Sequence, residues 1–126
     1  MPLVTITLIE GRSAGEKKNI GDAIHRALVS SGVPEADRFQ RFAEQKPENF
    51  LFDRTYPNLT APRTEKFILI EILLSVGRSV KVKKQILKSL MEHLETAGQS
   101  PNDTMVVFIE TTWENWAFAN GEQIHI

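Results

Sequence analysis

Apolar and polar residues alternate in some stretches of this chain and recur at helical spacing in others. Residues 3–9 alternate apolar side chains with threonines, which predicts a β-strand with one buried face. Ser13 with Glu16 three residues later is a capping-box sequence, and apolar residues then follow helical spacing as far as Gly32. A further strand is expected at about Phe39–Gln45. The first part of the chain is therefore predicted to form a β-α-β unit.

The same pattern recurs 66 positions later, so that residue 11 corresponds to residue 77. Gly11-Arg12-Ser13 is matched by Gly77-Arg78-Ser79, and the offset continues without a gap. The matched positions include Leu3 and Leu69, Ile6 and Ile72, Leu8 and Leu74, Ile20 and Ile86, Leu28 and Leu94, Asp37 and Asp103, and Phe42 and Phe108. The second unit is expected to have strands at 67–74 and 105–111 around a helix near 79–97. Such a series indicates one unit used twice.

These units predict an α+β fold in a single domain, residues 1–126. The repeats cover about 2–45 and 68–111, joined by a linker at 46–65 and followed by a tail at 112–126, where a short hairpin or edge strand is expected. Because β-α-β crossovers are right-handed and parallel, the simplest assembly is a four-stranded mixed sheet with both helices on one face. The strands at 67–74 and 105–111 are apolar on both faces, which favours a symmetric oligomer that covers the bare face.

Composition excludes several classes of function. The formal net charge of −1 argues against broad electrostatic binding to nucleic acid or to acidic membranes. The chain has no cysteine, and its three histidines lack metal-ligand spacing, so neither thiol chemistry nor a metal site is expected. It has neither a signal-peptide pattern nor an apolar run that could span a bilayer, which predicts a cytoplasmic protein.

The repeat places candidate chemistry at one corner of the predicted sheet. The start of the first strand would lie beside the end of the third, which brings Pro2 near Arg78 and a helix N-terminus. The mirror-image corner has Arg12 near Ile68 but no chain terminus, and therefore no amine. If Met1 is removed, Pro2 becomes a secondary amine, and the reference pKa of an α-amino group is about 7.7–8.0. Burial and a nearby arginine would lower this pKa. A neutral amine can take a proton α to a carbonyl, while Arg78 holds a carboxylate or an enolate.

Several motifs resemble those of the tautomerase superfamily. Pro2-Leu3 with Ile9-Glu10-Gly11-Arg12-Ser13 looks like the opening of 4-oxalocrotonate tautomerase. A longer pattern resembles the fused, double-length branch related to malonate semialdehyde decarboxylase. This pattern comprises Val33-Pro34-Glu35-Ala36-Asp37-Arg38-Phe39-Gln40, Gly77-Arg78-Ser79 and Asn115-Trp116-Ala117-Phe118-Ala119-Asn120-Gly121. The resemblance implies a homotrimer of fused β-α-β units that acts on a small carboxylate without a cofactor.

The resemblance also implies roles for five residues. Pro2 would be the catalytic proline, Arg78 a substrate-binding arginine, and Asp37 an aspartate that activates water or positions the substrate. Trp116 and Phe118 would form walls of the substrate pocket. The decarboxylase branch has two arginines around this glycine, whereas here the residue before Gly77 is valine.

Three functions remain open at this point. The first is an isomerase that moves a proton between the enol and keto forms of a small 2-oxo acid, with Pro2 as the base. The second is a decarboxylase or hydratase in which Pro2 stays protonated and Asp37 assists. The third is a non-catalytic trimeric binding module, which a retained Met1 would favour. Asp37 also has a structural interpretation, because it recurs as Asp103 in a turn before a strand.

Overall fold

The two predicted β-α-β units are present in the computed structural model, which describes residues 2–126. Met1, whose removal the chemistry of Pro2 requires, lies outside the described residues. The elements are β1 (Leu3–Ile9), α1 (Ala14–Ser30), β2 (Phe39–Gln45), β3 (Ile68–Ser75), α2 (Val80–Thr96) and β4 (Thr104–Thr111). Short 3-10 helices occur at Pro47–Asn49, Pro101–Asp103 and Trp113–Asn115. The predicted α+β fold is confirmed. β3 is displaced by one residue from its predicted position, and β4 begins one residue earlier than predicted.

Both helices begin at the serine of the repeated Gly-Arg-Ser sequence. The Ser13 Oγ accepts a hydrogen bond from the Glu16 N–H at 3.1 Å, and the Glu16 carboxylate accepts one from the Ser13 N–H at 3.4 Å. The Ser79 Oγ likewise accepts a hydrogen bond from the Val82 N–H at 3.1 Å, without a reciprocal carboxylate. Gly11 and Gly77 precede these caps with φ values of 108° and 124°, which other residues rarely adopt. The tripeptide therefore ends a strand and begins a helix in each half.

The sheet has the order β2-β1-β3-β4. β1 and β3 run antiparallel at its centre, and each pairs in parallel with the outer strand of its own unit. Alternate residues of β1 and β3 pack against both helices to form the core, which includes Val4, Ile6, Leu8, Ile24, Leu28, Ile70, Ile72, Ile86, Leu90 and Leu94. Within residues 2–126, no helix is long and apolar enough to cross a membrane.

The face of the sheet away from the helices, called here the outer face, has apolar residues on both sides of a polar row formed by Arg41, Thr5 and Glu71. Across its four strands the pairing aligns Phe39, Leu3, Leu73 and Ile109 in one row. Ile109 is 41% exposed, and Met105, further along the same strand, is 47% exposed. Exposed apolar side chains grouped in such rows are typical of a surface that a partner covers.

The C-terminal tail differs from the expected hairpin or edge strand. After the 3-10 helix at Trp113–Asn115, residues 116–126 form no strand. Ile124 and Ile126 are 64% and 72% exposed, so their alternation does not reflect pairing with the sheet. Aromatic contacts organise the tail instead, because the His125 ring lies 5.4 Å from Trp113 and 5.8 Å from Phe118. The prediction was wrong because two alternating residues are too short a pattern to specify a strand.

Candidate functional site

Strand pairing places Pro2 and Asp37 at the same edge of the sheet. Pro2 is buried and directly precedes Leu3, which pairs with Phe39 at the start of β2. Asp37 lies two residues before Phe39. Since β1 and β2 are parallel, the segments that enter both strands run side by side at this edge.

Arg78 reaches the same edge from the other side of β1. Leu3 pairs with Leu73, so the chain before Leu3 runs towards the end of β3, where Ser75 is the last residue. Arg78 follows at the start of α2 and is partly buried. Its Nη1 lies 3.5 Å from the Ser75 carbonyl oxygen, at the limit of a hydrogen bond. Within residues 2–126 this is the only polar contact of the guanidinium, so most of its five N–H donors remain available to a ligand.

Other charged groups near this edge are engaged in ion pairs. Arg38 Nη2 lies 2.9 Å from an Asp22 carboxylate oxygen. The hydrogen bond from Lys18, and then that from Arg38, hold the pKa of Asp22 below its ordinary value. On the β4 side, Lys83 neutralises Glu110 at 2.8 Å. In the part of the chain that the structure describes, Arg78 is therefore the cation at this edge without an ion pair.

A cavity of about 630 Å³ opens on the outer face. Among the described residues its lining includes Leu3, which follows Pro2 in the chain, but neither Pro2 itself nor Asp37 nor Arg78. Leu3, Phe39 and Leu73 contribute to its floor, and Trp116 and Phe118 of the tail line it. The Trp116 and Phe118 rings stack at 5.7 Å with an angle of 12° between their planes, and Phe118 contacts Phe39 at 5.8 Å. The two aromatic residues singled out from the sequence thus form one wall of an apolar cavity. We call this region, with Pro2 and Arg78, the chain-start corner.

Two buried polar atoms at the chain-start corner have no hydrogen-bond partner among the described residues. They are the Ser75 Oγ and the Trp116 Nε1. An unpaired buried donor or acceptor costs about 1–3 kcal/mol. Sequence reasoning did not single out Ser75, although the repeat contains a signal: the position equivalent to Ser75 in the first half is the apolar Ile9.

The opposite end of β1 and β3, called here the linker corner, uses its arginine differently. Arg12 donates from Nη1 to the Gln99 Oε1 at 2.9 Å and to the Lys66 carbonyl oxygen at 3.1 Å. Its Nε donates to Glu16 at 3.3 Å. The residue equivalent to Gln99 beside Arg78 is Val33, which offers no side-chain acceptor. Arg12 therefore connects structural elements, whereas Arg78 does not.

Asp37 and Asp103 occupy equivalent positions in the two corners. Asp103 accepts hydrogen bonds from the N–H and the hydroxyl of Thr64 at 2.7 and 2.6 Å, and so fixes the segment that enters β3. The same geometry places Asp37 beside the segment that enters β1, which is the chain start. The structure therefore brings Asp37 to the edge that Pro2 and Arg78 occupy.

The internal repeat extends beyond the two units into the linker and the tail. At the same offset of 66 positions, Phe50 corresponds to Trp116 and Phe52 to Phe118, each pair following a 3-10 helix. In the linker corner Phe67 packs 5.6 Å from Phe50 and 4.4 Å from Phe52, and it is only 3% exposed. The remaining cavity there is about 270 Å³. The linker corner is therefore a partly filled copy of the aromatic cavity.

Hydrogen bonds also perturb carboxylates in both aromatic segments. Backbone N–H groups of Tyr56 and then Thr55 lower the pKa of Asp53 in the linker. In the tail, the Glu114 backbone N–H and then the Thr112 hydroxyl lower the pKa of Glu114. Within residues 2–126, no three histidine, aspartate or glutamate side chains come together in a group that could hold a metal ion.

Comparison with known families and curated proteins gives a consistent result. Two family profiles, both described as "Tautomerase enzyme", match residues 2–58 and residues 37–119. The chain is 30% identical over 124 residues to "Probable tautomerase YrdN" of Bacillus subtilis (strain 168), a match that covers 97% of this chain and 94% of the relative.

Solved structures with the same fold include two malonate semialdehyde decarboxylases. One, named FG41 and inhibited by 3-bromopropiolate, has a TM-score of 0.90 and 26% identity, with 98% of this chain and 93% of that chain covered. A second, described in terms of its decarboxylase and hydratase activities, has a TM-score of 0.87 and 31% identity, with 96% and 93% covered. A fused 4-OT symmetric trimer has a TM-score of 0.71 and 20% identity, with 95% and 94% covered, which bears on the fold alone.

Proposed function

The chain belongs to the tautomerase superfamily of enzymes, in its fused branch, and we propose that it is an isomerase. Its reaction moves a proton α to the carbonyl of a small 2-oxo acid, between the enol and keto forms. The observation that supports this proposal is that strand pairing runs Pro2 and the segment of Arg78 towards one edge of the sheet, where Leu3 and Leu73 line an aromatic cavity. The linker corner has an equivalent arginine and aromatic wall, but it has neither a chain terminus nor an available guanidinium.

In the proposed reaction Pro2 is the general base. Removal of Met1 gives its nitrogen a basic lone pair, and burial together with the Arg78 guanidinium disfavours the ammonium form. In the enol-to-keto direction the neutral amine takes the proton from the enol hydroxyl and returns it to the α-carbon. The reverse direction uses the same two atoms. Its position on a buried strand start, rather than on a flexible terminus, fixes the direction from which the proton is removed.

Arg78 anchors the substrate carboxylate or stabilises the enolate that develops during proton transfer. A guanidinium presents two parallel N–H donors to a carboxylate, and Arg78 has donors to spare within residues 2–126. Trp116 and Phe118 hold the rest of the substrate and exclude water. Asp37, at the same edge, positions the substrate or a water molecule. No cofactor takes part in this scheme.

The proposed enzyme is a homotrimer. The outer face supports this assembly, because half-exposed apolar residues such as Met105 and Ile109 would be covered by neighbouring subunits. The fused 4-OT structure, which has the same fold, is itself a trimer. The cavity at the chain-start corner opens on this face, so neighbouring subunits would also enclose the substrate.

A decarboxylase or hydratase is the second candidate function. The similarity in fold and sequence to the two malonate semialdehyde decarboxylases favours it. In that reaction Pro2 remains protonated and acts as an acid, while Asp37 assists. Val76 stands where the decarboxylase branch has an additional arginine, and the loss of one cation weakens the anchoring of a small carboxylate. The tautomerase reaction is less affected by this loss.

The experiment that tests the proposal uses untagged protein whose loss of Met1 is verified by intact mass spectrometry. Ketonisation of phenylenolpyruvate is measured for the wild type and for Pro2→Ala. We expect kcat/KM of the variant to fall about 10²–10⁴-fold, the usual contribution of a positioned acid or base. Equal activity of the two proteins would refute the mechanism.

The pH profile of kcat/KM separates the two candidate reactions. A base loses activity as the pH falls through its pKa, whereas an acid loses activity as the pH rises through it. A kcat/KM for phenylenolpyruvate that falls as the pH is lowered supports the isomerase. Turnover of malonate semialdehyde that falls on the alkaline side, without ketonisation, would favour the decarboxylase. Retention of Met1 in native protein would contradict both and favour a binding module.

A further inference from the structure

Ser75 combines complete burial with an unsatisfied hydroxyl. It is the last residue of β3, its exposed fraction is 0%, and its Oγ has no hydrogen-bond partner among residues 2–126. Such a group destabilises a fold relative to one that has a hydrogen-bond partner. Its neighbours are the residues of the proposed site, because Arg78 donates to its carbonyl oxygen and β1 begins beside it.

The linker corner shows that this hydroxyl is not needed for packing. The equivalent position there is Ile9, an apolar residue at the end of β1. An aliphatic side chain thus serves the same strand end without an orphaned polar atom. Trp116 repeats this contrast, since its unpaired indole N–H stands where the linker corner has Phe50. Both orphaned atoms lie in the corner that contains the chain start.

We propose that Ser75 is a positioning residue whose hydroxyl hydrogen-bonds the free amine of Pro2 after Met1 has been removed. While Met1 is attached, the Pro2 nitrogen is a tertiary amide with neither a hydrogen to donate nor a basic lone pair. After removal, the secondary amine can donate to Oγ and can also accept from it. The antiparallel pairing of Leu3 with Leu73 directs the chain before Leu3 towards Ser75. In the proposed contact the amine at the chain start lies beside the Ser75 hydroxyl. This inference rests on the proposed function of Pro2.

The hydroxyl favours the protonated amine. A hydrogen bond from an ammonium to a hydroxyl is charge-assisted and about twice as strong as one between neutral partners. The charged groups around the amine are Asp37 and Arg38 from the start of β2, Arg78 from the start of α2, and Glu110 from β4. Glu110 and Arg38 are already neutralised by Lys83 and Asp22. Ser75 therefore adds orientation and a modest increase in the proton affinity of the amine to the opposing effects of Asp37 and Arg78.

Ser75→Ala tests the contact in the processed enzyme. We expect the acid limb of the kcat/KM profile to move to lower pH by about 0.5 unit, because the ammonium loses a charge-assisted partner. The pKa of the Pro2 amine, followed by NMR without substrate, should move by the same amount. Ser75→Thr should restore both, since the equivalent position already accommodates the β-branched Ile9.

Thr104→Val is the matched control. Thr104 is a strand residue of the linker corner whose hydroxyl donates to the Ser100 carbonyl oxygen at 2.9 Å. The Thr104→Val variant should be less stable than the wild type, but its kcat/KM profile and the titration of its Pro2 amine should be unchanged. A Ser75→Ala variant that alters only the stability would overturn the proposal. The NMR titration reports on the contact even if Pro2→Ala retains full activity, so failure of this inference is distinguishable from failure of the proposed function.

Discussion

The chain-start corner and the linker corner are built from equivalent residues, yet their side chains are used in opposite ways. Arg12 makes hydrogen bonds to three residues, whereas Arg78 makes one marginal contact within residues 2–126. Phe67 fills the aromatic cluster of the linker corner, whereas the chain-start corner keeps a cavity of about 630 Å³. The linker corner is thus satisfied internally. Within residues 2–126 the chain-start corner leaves donors, apolar surface and space that a ligand or a neighbouring subunit could use.

This difference separates structural from functional roles more clearly than either corner does alone. A guanidinium near a helix cap is common, and an aromatic pair on a sheet is more often core than binding site. When the same chain contains both versions, the structural version shows what folding requires. Whatever the chain-start corner has beyond that requirement becomes a candidate for function.

The largest effect on stability is expected from emptying the linker corner. Phe67→Ala removes a ring that is 3% exposed and stacked on two others, which should lower the free energy of unfolding by about 3–5 kcal/mol. The measurement is chemical denaturation at a fixed protein concentration, because oligomerisation contributes to apparent stability. kcat/KM of the folded protein should not change. The milder Phe67→Leu provides a folded variant if the alanine variant is too unstable, and a loss of activity in it would break the distinction between the corners.

The two arginines should show reciprocal effects. Arg78→Ala should lower kcat/KM about 10²–10³-fold, the typical loss of a donor to a developing oxyanion, with little change in stability. Arg12→Ala should lower the free energy of unfolding by about 1.5–3 kcal/mol, the usual value of hydrogen bonds to a charged group, with kcat/KM of the folded enzyme unchanged. The paired measurements are steady-state kinetics and denaturation of both variants. Equal effects of the two substitutions on activity would remove the basis for assigning function to one corner.

The contrast between the two corners also shows which structural features can be predicted from the sequence alone. Apolar periodicity and the repeated Gly-Arg-Ser sequence predict the strands, the helices and the meeting of Pro2 with Arg78, because these follow from local spacing and the antiparallel pairing of two equal units. The equivalence of Phe50 with Trp116 is harder to predict, because it lies where neither strand nor helix periodicity exists. For Ser75 the repeat indicates only an unusual position, since the equivalent residue is Ile9. That its hydroxyl is buried without a partner within residues 2–126 depends on tertiary packing.

The smallest effect is expected from removing the indole N–H of Trp116. Its loss should leave stability unchanged or slightly higher, but it should lower kcat/KM. Trp116→Phe gives the chain-start corner the residue type of the linker corner and removes a buried donor that lacks a partner within residues 2–126. Without ligand the variant should therefore be as stable as the wild type or slightly more stable. With substrate it should lose one hydrogen bond to a carbonyl or carboxylate oxygen, which corresponds to a fall in kcat/KM of about 3–10-fold.

Trp113→Phe is the control for this substitution, because Trp113 packs against His125 and does not line the cavity. The Trp113→Phe variant should have the same kcat/KM as the wild type. If Trp116→Phe instead lowers stability and leaves kcat/KM intact, the indole N–H has a structural partner in the assembled protein. The excess of the chain-start corner over the linker corner would then reduce to Arg78, the cavity and the chain terminus.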